Sequence, residues 1–191
     1  MNGVGRRLSA VFFDRDGTLN CSARAGEYIR RPEELRLLPG AGVAVRRVNS
    51  ARLPAIVVTN QRWLSEPGAD PGRYRLIEAK LEYLLATHGA RLDASYTCPH
   101  ALNSCDCRKP LPGLLLRAAD KFGLELSASF LVGNSMSDIQ AGLAVGATTI
   151  LISSDPCTNA DRLAHYVVPS AEDAVARILD ASHRRSSLVG E

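Results

Sequence analysis

Apolar and polar positions alternate along this chain on two scales. Four runs are apolar almost throughout and end in polar residues: LSAVFFD over 8–14, LPAIVVTN over 53–60, SFLVGN over 129–134 and TTILIS over 148–153. Such short runs, rich in Val, Ile and Phe, predict strands covered on both faces. ASYTCP over 94–99 predicts a weaker fifth strand. Between these runs the period lengthens. Tyr74, Ile77, Leu81, Leu84 and His88 share one face of a helix over 72–88. Leu114, Leu115, Ala118 and Phe122 mark another, which Gly123 ends. Ser170 and Asp173 have capping-box spacing ahead of Val175, Ile178 and Leu179. Strands alternating with helices predict an α/β fold: a Rossmann-like parallel sheet flanked by helices, with right-handed crossovers. The sequence has no internal repeat.

In such sheets ligands collect beyond the carboxyl ends of the strands. Here those ends carry Asp14 and Asp16, Thr59 and Asn60, Cys98 and His100, and Asn134 and Asp138. One parallel sheet would gather all of them at one edge. Residues two apart on an extended chain point the same way, so Asp14 and Asp16 share a side and Arg15 faces away. Two carboxylates that close are unfavourable unless a cation joins them. Mg²⁺, a hard cation that takes oxygen ligands, fits that need. One carboxylate could attack phosphorus while the other handles the leaving group's proton. Gly17 permits the turn that follows. An isolated Asp-x-Asp-Gly is equally a plain turn; VFFD before it and GTLN after it favour a site.

Composition narrows the class. With 191 residues, 46% of them hydrophobic, the chain can bury a core. One domain over 1–183 is expected, with 184–191 as a frayed polar tail. The formal charge of +3 is small and the basic residues are dispersed, so no nucleic-acid partner is expected. No run reaches the length of a membrane span. The apolar run behind Arg6 and Arg7 stops at Asp14, too soon for a signal peptide. A cytoplasmic monomer without membrane contact is expected. The cysteines are clustered: Cys98, His100, Cys105 and Cys107 fall within ten residues. A Cys₃His set is a closed tetrahedral site, which suits structural zinc and leaves no position for water. Its task would be to hold the loop bearing Arg108 and Lys109. Cys21 and Cys157 read as plain small residues, and His88, His165 and His183 have no evident partner.

Four motifs add a resemblance. DRDGTLN at 14–20, VVTNQ at 57–61, CRKP at 107–110 and LVGNSMSDIQAG at 131–142 resemble, in order and spacing, the motifs of the haloacid dehalogenase superfamily of phosphatases. CPHALNSCDCRKP and EYIRRPEELRLLPG are most similar to the D-glycero-D-manno-heptose 1,7-bisphosphate phosphatase group, itself similar to histidinol-phosphate phosphatases. The resemblance implies a Mg²⁺-dependent phosphomonoesterase. Asp14 would be the nucleophile that forms an aspartyl-phosphate, and Asp16 the general acid and then the base. Thr59 and the Asn60 N–H would bind phosphoryl oxygens. Lys109 would neutralise phosphate charge, and Arg108 would contact substrate. Asp14, Asp16 and Asn134 would hold Mg²⁺, with Asp138 a further candidate. The implied substrate is a small sugar bisphosphate used in nucleotide-heptose biosynthesis. Histidinol phosphate or another small sugar phosphate as substrate, and a non-catalytic, zinc-stabilised binding role, are the alternatives. The spacing after Gly17 leaves room for a flap and not for a large cap domain.

Two departures from the family pattern stand out. The fourth motif usually reads Gly-Asp; here it reads Gly133-Asn134, which drops one charge from the cation site. After TNQ, the usual small Ser-Gly loop is replaced by RWLSEPGADPGR. Trp63, the single Trp of the chain, reads as a packing residue ahead of a sugar platform.

Overall fold

The computed structural model describes residues 8–23, 27–153 and 159–187. Cys157, the side chain of His183 and residues 188–191 lie outside them. Six strands form one sheet: β1 Val11–Phe13, β2 Ala55–Asn60, β3 Ala94–Cys98, β4 Phe130–Gly133, β5 Thr148–Ile152 and β6 Tyr166–Val168. Their spatial order is β3-β2-β1-β4-β5-β6, and every pair is parallel. Six helices connect or flank them: α1 Ala41–Ser50, α2 Pro71–Ala86, α3 Gly113–Phe122, α4 Met136–Leu143, α5 Asn159–Leu163 and α6 Ala171–Ser187.

The central strands are apolar throughout because both faces are covered. Val11 and Phe13 join Val57, Val132 and Ile150 in a core closed by Val45 and Val48 of α1, Ile77 and Leu81 of α2, and Val175 and Ile178 of α6. Phe12 points the other way, with Ile56, Val58 and Leu131, against Leu114, Leu115 and Ala118 of α3. Cys98 and Cys107 belong to this second core, so the cysteine loop packs on the α3 face.

Several expectations shift. The ladder of β1 covers three residues; Leu8 makes only an isolated bridge to Leu124. β3 is an edge strand and half-exposed, which explains its weak signal. The buried face of α2 is Tyr74, Ile77, Leu81 and Leu85, with Leu84 half-buried and His88 exposed. The helix ends at Ala86, so His88 has left its period. Gly123 ends α3 with a left-handed φ of 63°, as expected. The Asp173 N–H donates to Ser170 Oγ at 3.2 Å at the start of α6. That helix runs to Ser187. His165 does have a partner: its Nδ1 accepts from the Thr149 N–H at 3.1 Å. Among the described residues, no helix is long and apolar enough to cross a membrane.

Candidate active site

Strand order reverses at β1, which lies between β2 and β4. A parallel sheet opens a crevice at such a point, beyond the carboxyl ends. Asp14 leaves β1 there, Thr59 and Asn60 close β2, and Asn134 follows β4. The Asp14 N–H still donates to Val132 O at 2.9 Å, which fixes it to the sheet. These residues, with Asp16, Lys109, Ser135 and Asp138, line a cavity of about 300 Å³. Gly17 has φ +82° and donates its N–H to Asn20 O at 2.7 Å, turning the chain away. A β-carbon on Gly17 would also collide with Asn134 Nδ2, so the turn and the close approach both need glycine.

The floor of the cavity is an ionic triad. Lys109 Nζ lies 2.6 Å from Asp14 Oδ1, 2.6 Å from Asp138 Oδ1, and 2.8 Å from the Val58 carbonyl. All three side chains are buried. Burial works against the Lys109 charge, yet Asp138 and Asp14 together hold its pKa above the ordinary lysine value. Burial pushes the Asp14 carboxyl up to about 7, with Lys109 opposing and Asp138 adding to the rise. With both carboxylates ionised, one ammonium leaves this floor with a net negative charge, which favours a bound cation.

Asp138 serves two elements. Its Oδ2 accepts from the Ser135 N–H at 3.0 Å and the Ser135 hydroxyl at 2.6 Å, which caps α4. Lys109 takes the other oxygen. Asn60 holds the lysine from behind: its Nδ2 donates to the Lys109 carbonyl at 3.0 Å, and its Oδ1 accepts the Lys109 N–H at 3.1 Å.

Asp16 is held differently. Its Oδ1 accepts from Arg15 Nε at 3.1 Å and Asn20 Nδ2 at 2.9 Å; its Oδ2 accepts from Arg15 Nη2 at 2.9 Å and Gln61 Nε2 at 2.8 Å. Although burial raises its pKa, Arg15 first, then Asn20 and Gln61, hold it below the usual carboxylate value. The sequence-based picture of Arg15 facing away is corrected here. Arg15 is 1% exposed, forks onto the Asp16 carboxylate, and lies 5.7 Å over the Tyr74 ring. The strand ends at Phe13, so alternation no longer governs residue 15.

The fourth strand end builds a separate cluster. The ligand atoms of Cys98, His100, Cys105 and Cys107 all lie within 4.8 Å of one another. Cys98 Sγ is 3.6 Å from Cys105 Sγ, Cys105 Sγ is 3.5 Å from Cys107 Sγ, and His100 Nδ1 is 3.7 Å from Cys98 Sγ and 3.2 Å from Cys107 Sγ. Zn–S bonds of about 2.3 Å in a tetrahedron imply S···S edges of roughly 3.8 Å, so the set needs little movement to close on a metal. The loop then runs from Cys107 through Arg108 to Lys109, and so connects this cluster to the cavity floor.

A HAD-hydrolase-like family model matches residues 106–181. The chain is 30% identical over 181 residues to the D-glycero-beta-D-manno-heptose-1,7-bisphosphate 7-phosphatase of Escherichia coli K12, covering 89% of this chain and 93% of that one. The chain belongs to the haloacid dehalogenase-like phosphatases. The D,D-heptose 1,7-bisphosphate phosphatase of B. bronchiseptica, solved with magnesium and phosphate, superposes with a TM-score of 0.80 at 27% identity, over 91% of this chain and 99% of that one. A putative HAD-like phosphatase from Mesorhizobium loti gives 0.75 at 27% identity, over 93% and 90%.

Within this haloacid dehalogenase-like frame, most of the expected site residues meet in one place. Asp14, Asp16, Thr59, Asn60, Lys109, Asn134 and Asp138 all line the cavity. Arg108 is half-buried outside that lining, with its Nη1 buried and without a hydrogen-bond partner among the described residues. Cys98 and His100 do not enter the cavity, which corrects the picture of four strand ends forming one site. Two expected magnesium ligands also have protein partners: the Asp16 carboxylate accepts from four donors, and the Asp138 carboxylate meets Lys109 and Ser135. Among the described residues, Asp14 Oδ2 and the Asn134 amide oxygen accept no hydrogen bond, and Asp138 Oδ1 meets only the Lys109 ammonium at 2.6 Å, so all three cavity oxygens are open to a cation. Sequence reasoning missed Gln61, fully buried between Asp16 and Thr59. Its spacing of two from Thr59 was the available signal. It also missed Glu27 and Tyr28, which line the cavity from the flap.

Proposed function

We propose that the chain is a magnesium-dependent D-glycero-D-manno-heptose 1,7-bisphosphate 7-phosphatase acting through an aspartyl-phosphate. The observation that carries this reading is the buried Asp14–Lys109–Asp138 triad under a polar cavity at the point where strand order reverses. The group's activity supplies the substrate. Asp14 is the nucleophile: a carboxylate oxygen attacks phosphorus while the bond from phosphorus to the ester oxygen breaks. That oxygen keeps the electron pair and takes a proton from Asp16. Asp16, now ionised, removes a proton from water as the water oxygen attacks the phosphoryl group. Inorganic phosphate leaves and the Asp14 carboxylate returns. Thr59 and Lys109 face the phosphoryl oxygens, where fixed positive charge and donors stabilise charge developing in transfer. Magnesium held by Asp14, Asp16 and Asn134, with Asp138 a further candidate, would supply further positive charge to those oxygens.

The Cys₃His cluster is read as a structural zinc site that fixes the turn carrying Arg108 and Lys109. Metal-free, the three crowded thiols differ: burial, then Cys98 and Cys105, push Cys107 up to about 12, and burial raises Cys98, while against burial the Cys107 and Arg108 N–H groups and the neighbouring thiols bring Cys105 down to about 7. A bound cation favours the ionised form of all three. Protein purified without chelator is expected to hold about one zinc per chain, and Cys105→Ser to hold none, with lowered phosphate release. Zinc-free protein that is folded and active would contradict the assignment.

The substrate is tested by phosphate release, with and without Mg²⁺, from the heptose 1,7-bisphosphate, histidinol phosphate and hexose monophosphates. The bisphosphate is expected to have the highest kcat/KM, with activity lost on adding a chelator of Mg²⁺. A preference for histidinol phosphate would replace the substrate and leave the chemistry standing. No release from any of them would overturn the reading.

A further inference from the structure

We propose that Trp63 and Gln61 form a positioning pair for Asp16, and that Trp63 sets which end of the Gln61 amide faces that carboxylate. The proposal rests on the reading of Asp16 as proton donor to the departing alcohol. Gln61 is fully buried, and both N–H groups and the oxygen of its amide are engaged. Nε2 donates to Asp16 Oδ2 at 2.8 Å and to Thr59 Oγ1 at 2.8 Å, and Oε1 accepts from Trp63 Nε1 at 3.0 Å.

An amide can fit a slot in either of two orientations. Here the indole decides between them. An indole N–H can only donate. It therefore requires Oε1 beside it, and that turns Nε2 toward Asp16. The opposite orientation would set the amide NH₂ against the indole N–H and the amide oxygen against a carboxylate. Both contacts are repulsive, and both would be buried.

The indole is itself held firmly. Trp63 is 2% exposed and meets Tyr74 edge-on, with centroids 6.1 Å apart and planes at 70°. The Arg30 guanidinium lies 5.6 Å over its ring and is paired to Glu66 at 2.6 Å. Tyr74 in turn lies under the Arg15 guanidinium, the other arm that grips Asp16. Trp63 of the departing loop, through Gln61, and Tyr74 of α2, through Arg15, thus back the two sets of donors that grip Asp16.

A carboxylate has about four lone-pair directions, and the four donors to Asp16 fill them. To hold or take a proton, Asp16 must release one donor. Arg15 is a charged, two-pronged partner, the hardest to displace. Gln61 is neutral and shares its amide with Thr59 on the cavity wall. It can therefore yield a lone pair while keeping the carboxylate against the cavity.

The distinguishing readout is sensitivity to the leaving group. An alkoxide needs a proton as it departs; a nitrophenolate does not. The parameter kcat/KM reports on steps up to loss of the alcohol, where the acid acts. Trp63→Phe keeps most of the ring and removes the N–H; Gln61→Leu removes both donors. With saturating Mg²⁺, Trp63→Phe is expected to lower kcat/KM for a sugar phosphate about 10-fold more than for p-nitrophenyl phosphate. For Gln61→Leu the extra loss is expected to be on the order of 10²-fold, the lower end of what general acid catalysis contributes. Equal losses on both substrates, or no loss on either, would overturn the positioning role. If one variant fails to fold, the other decides. If wild type cleaves neither substrate, the phosphatase reading itself fails and this proposal falls with it. If wild type cleaves both and the ratio does not move, only the positioning role fails.

Discussion

Asp14→Asn is expected to give a folded protein that releases no phosphate. The amide keeps the shape of the side chain, and it cannot attack phosphorus to form an acyl phosphate. Stability should change little. Burial disfavours the Asp14 charge, so losing it removes a cost, while Lys109 keeps its second partner, Asp138, at 2.6 Å. The fold should hold within ~1 kcal/mol, since one charged hydrogen bond is lost and one buried charge is relieved. Asp16→Asn is the contrast. It retains the nucleophile and loses general acid and base catalysis, for a fall of about 10²–10⁴ in turnover. Thermal melting and phosphate release on both variants check this. Wild-type turnover in Asp14→Asn would remove the covalent mechanism.

Lys109→Met is expected to lose activity and stability together, for two separable reasons. The ammonium is the only cation that joins Asp14 and Asp138 in the described structure, and all three are buried. Removing one partner of a buried ion pair costs about 3–5 kcal/mol, because the remaining charges are uncompensated. In a chain of this length each kcal/mol moves the midpoint by roughly 2–4 °C. A fall of roughly 6–20 °C is therefore expected. Activity should fall about 10²–10³-fold, as when one donor to a developing oxyanion is removed. Adding Asp138→Asn to Lys109→Met should recover part of the lost stability, since one unpaired carboxylate is gone. It should recover no activity, since the phosphoryl group still lacks its cation. A double variant that regained turnover would mean that Lys109 acts only through Asp138.

The sequence made the sheet and most of the site legible, and the reasons are local. The runs ending at Asp14, Asn60 and Asn134 are apolar on both faces, so they stand out without knowledge of their neighbours. Strand β6 is only three residues long and half-exposed, and no such run marks it. Helix α1 buries Ala41, Ala44, Val45 and Val48 at helical spacing, but alanines give that period little weight. The Cys₃His cluster was legible because its four side chains are close in sequence. The partners of Lys109 were not, since Asp138 lies 29 positions further along and meets it only through the sheet. For Asp16 the obstacle was local. Its neighbour in sequence, Arg15, was placed on the wrong side because strand parity was carried two residues past Phe13, the end of the ladder. Trp63 was read as a packing residue, and it is one. Its second role, orienting Gln61, depends on a hydrogen bond that composition does not reveal.

The most direct test of the proposed chemistry is ³¹P NMR of D-glycero-D-manno-heptose 1,7-bisphosphate incubated with the protein and Mg²⁺. The expected result is stoichiometric growth of inorganic phosphate at the expense of the carbon-7 monoester signal, with the carbon-1 phosphate unchanged and no reaction in Asp14→Asn. Loss of the carbon-1 signal instead, or an unchanged spectrum with folded, metal-loaded protein, would contradict it.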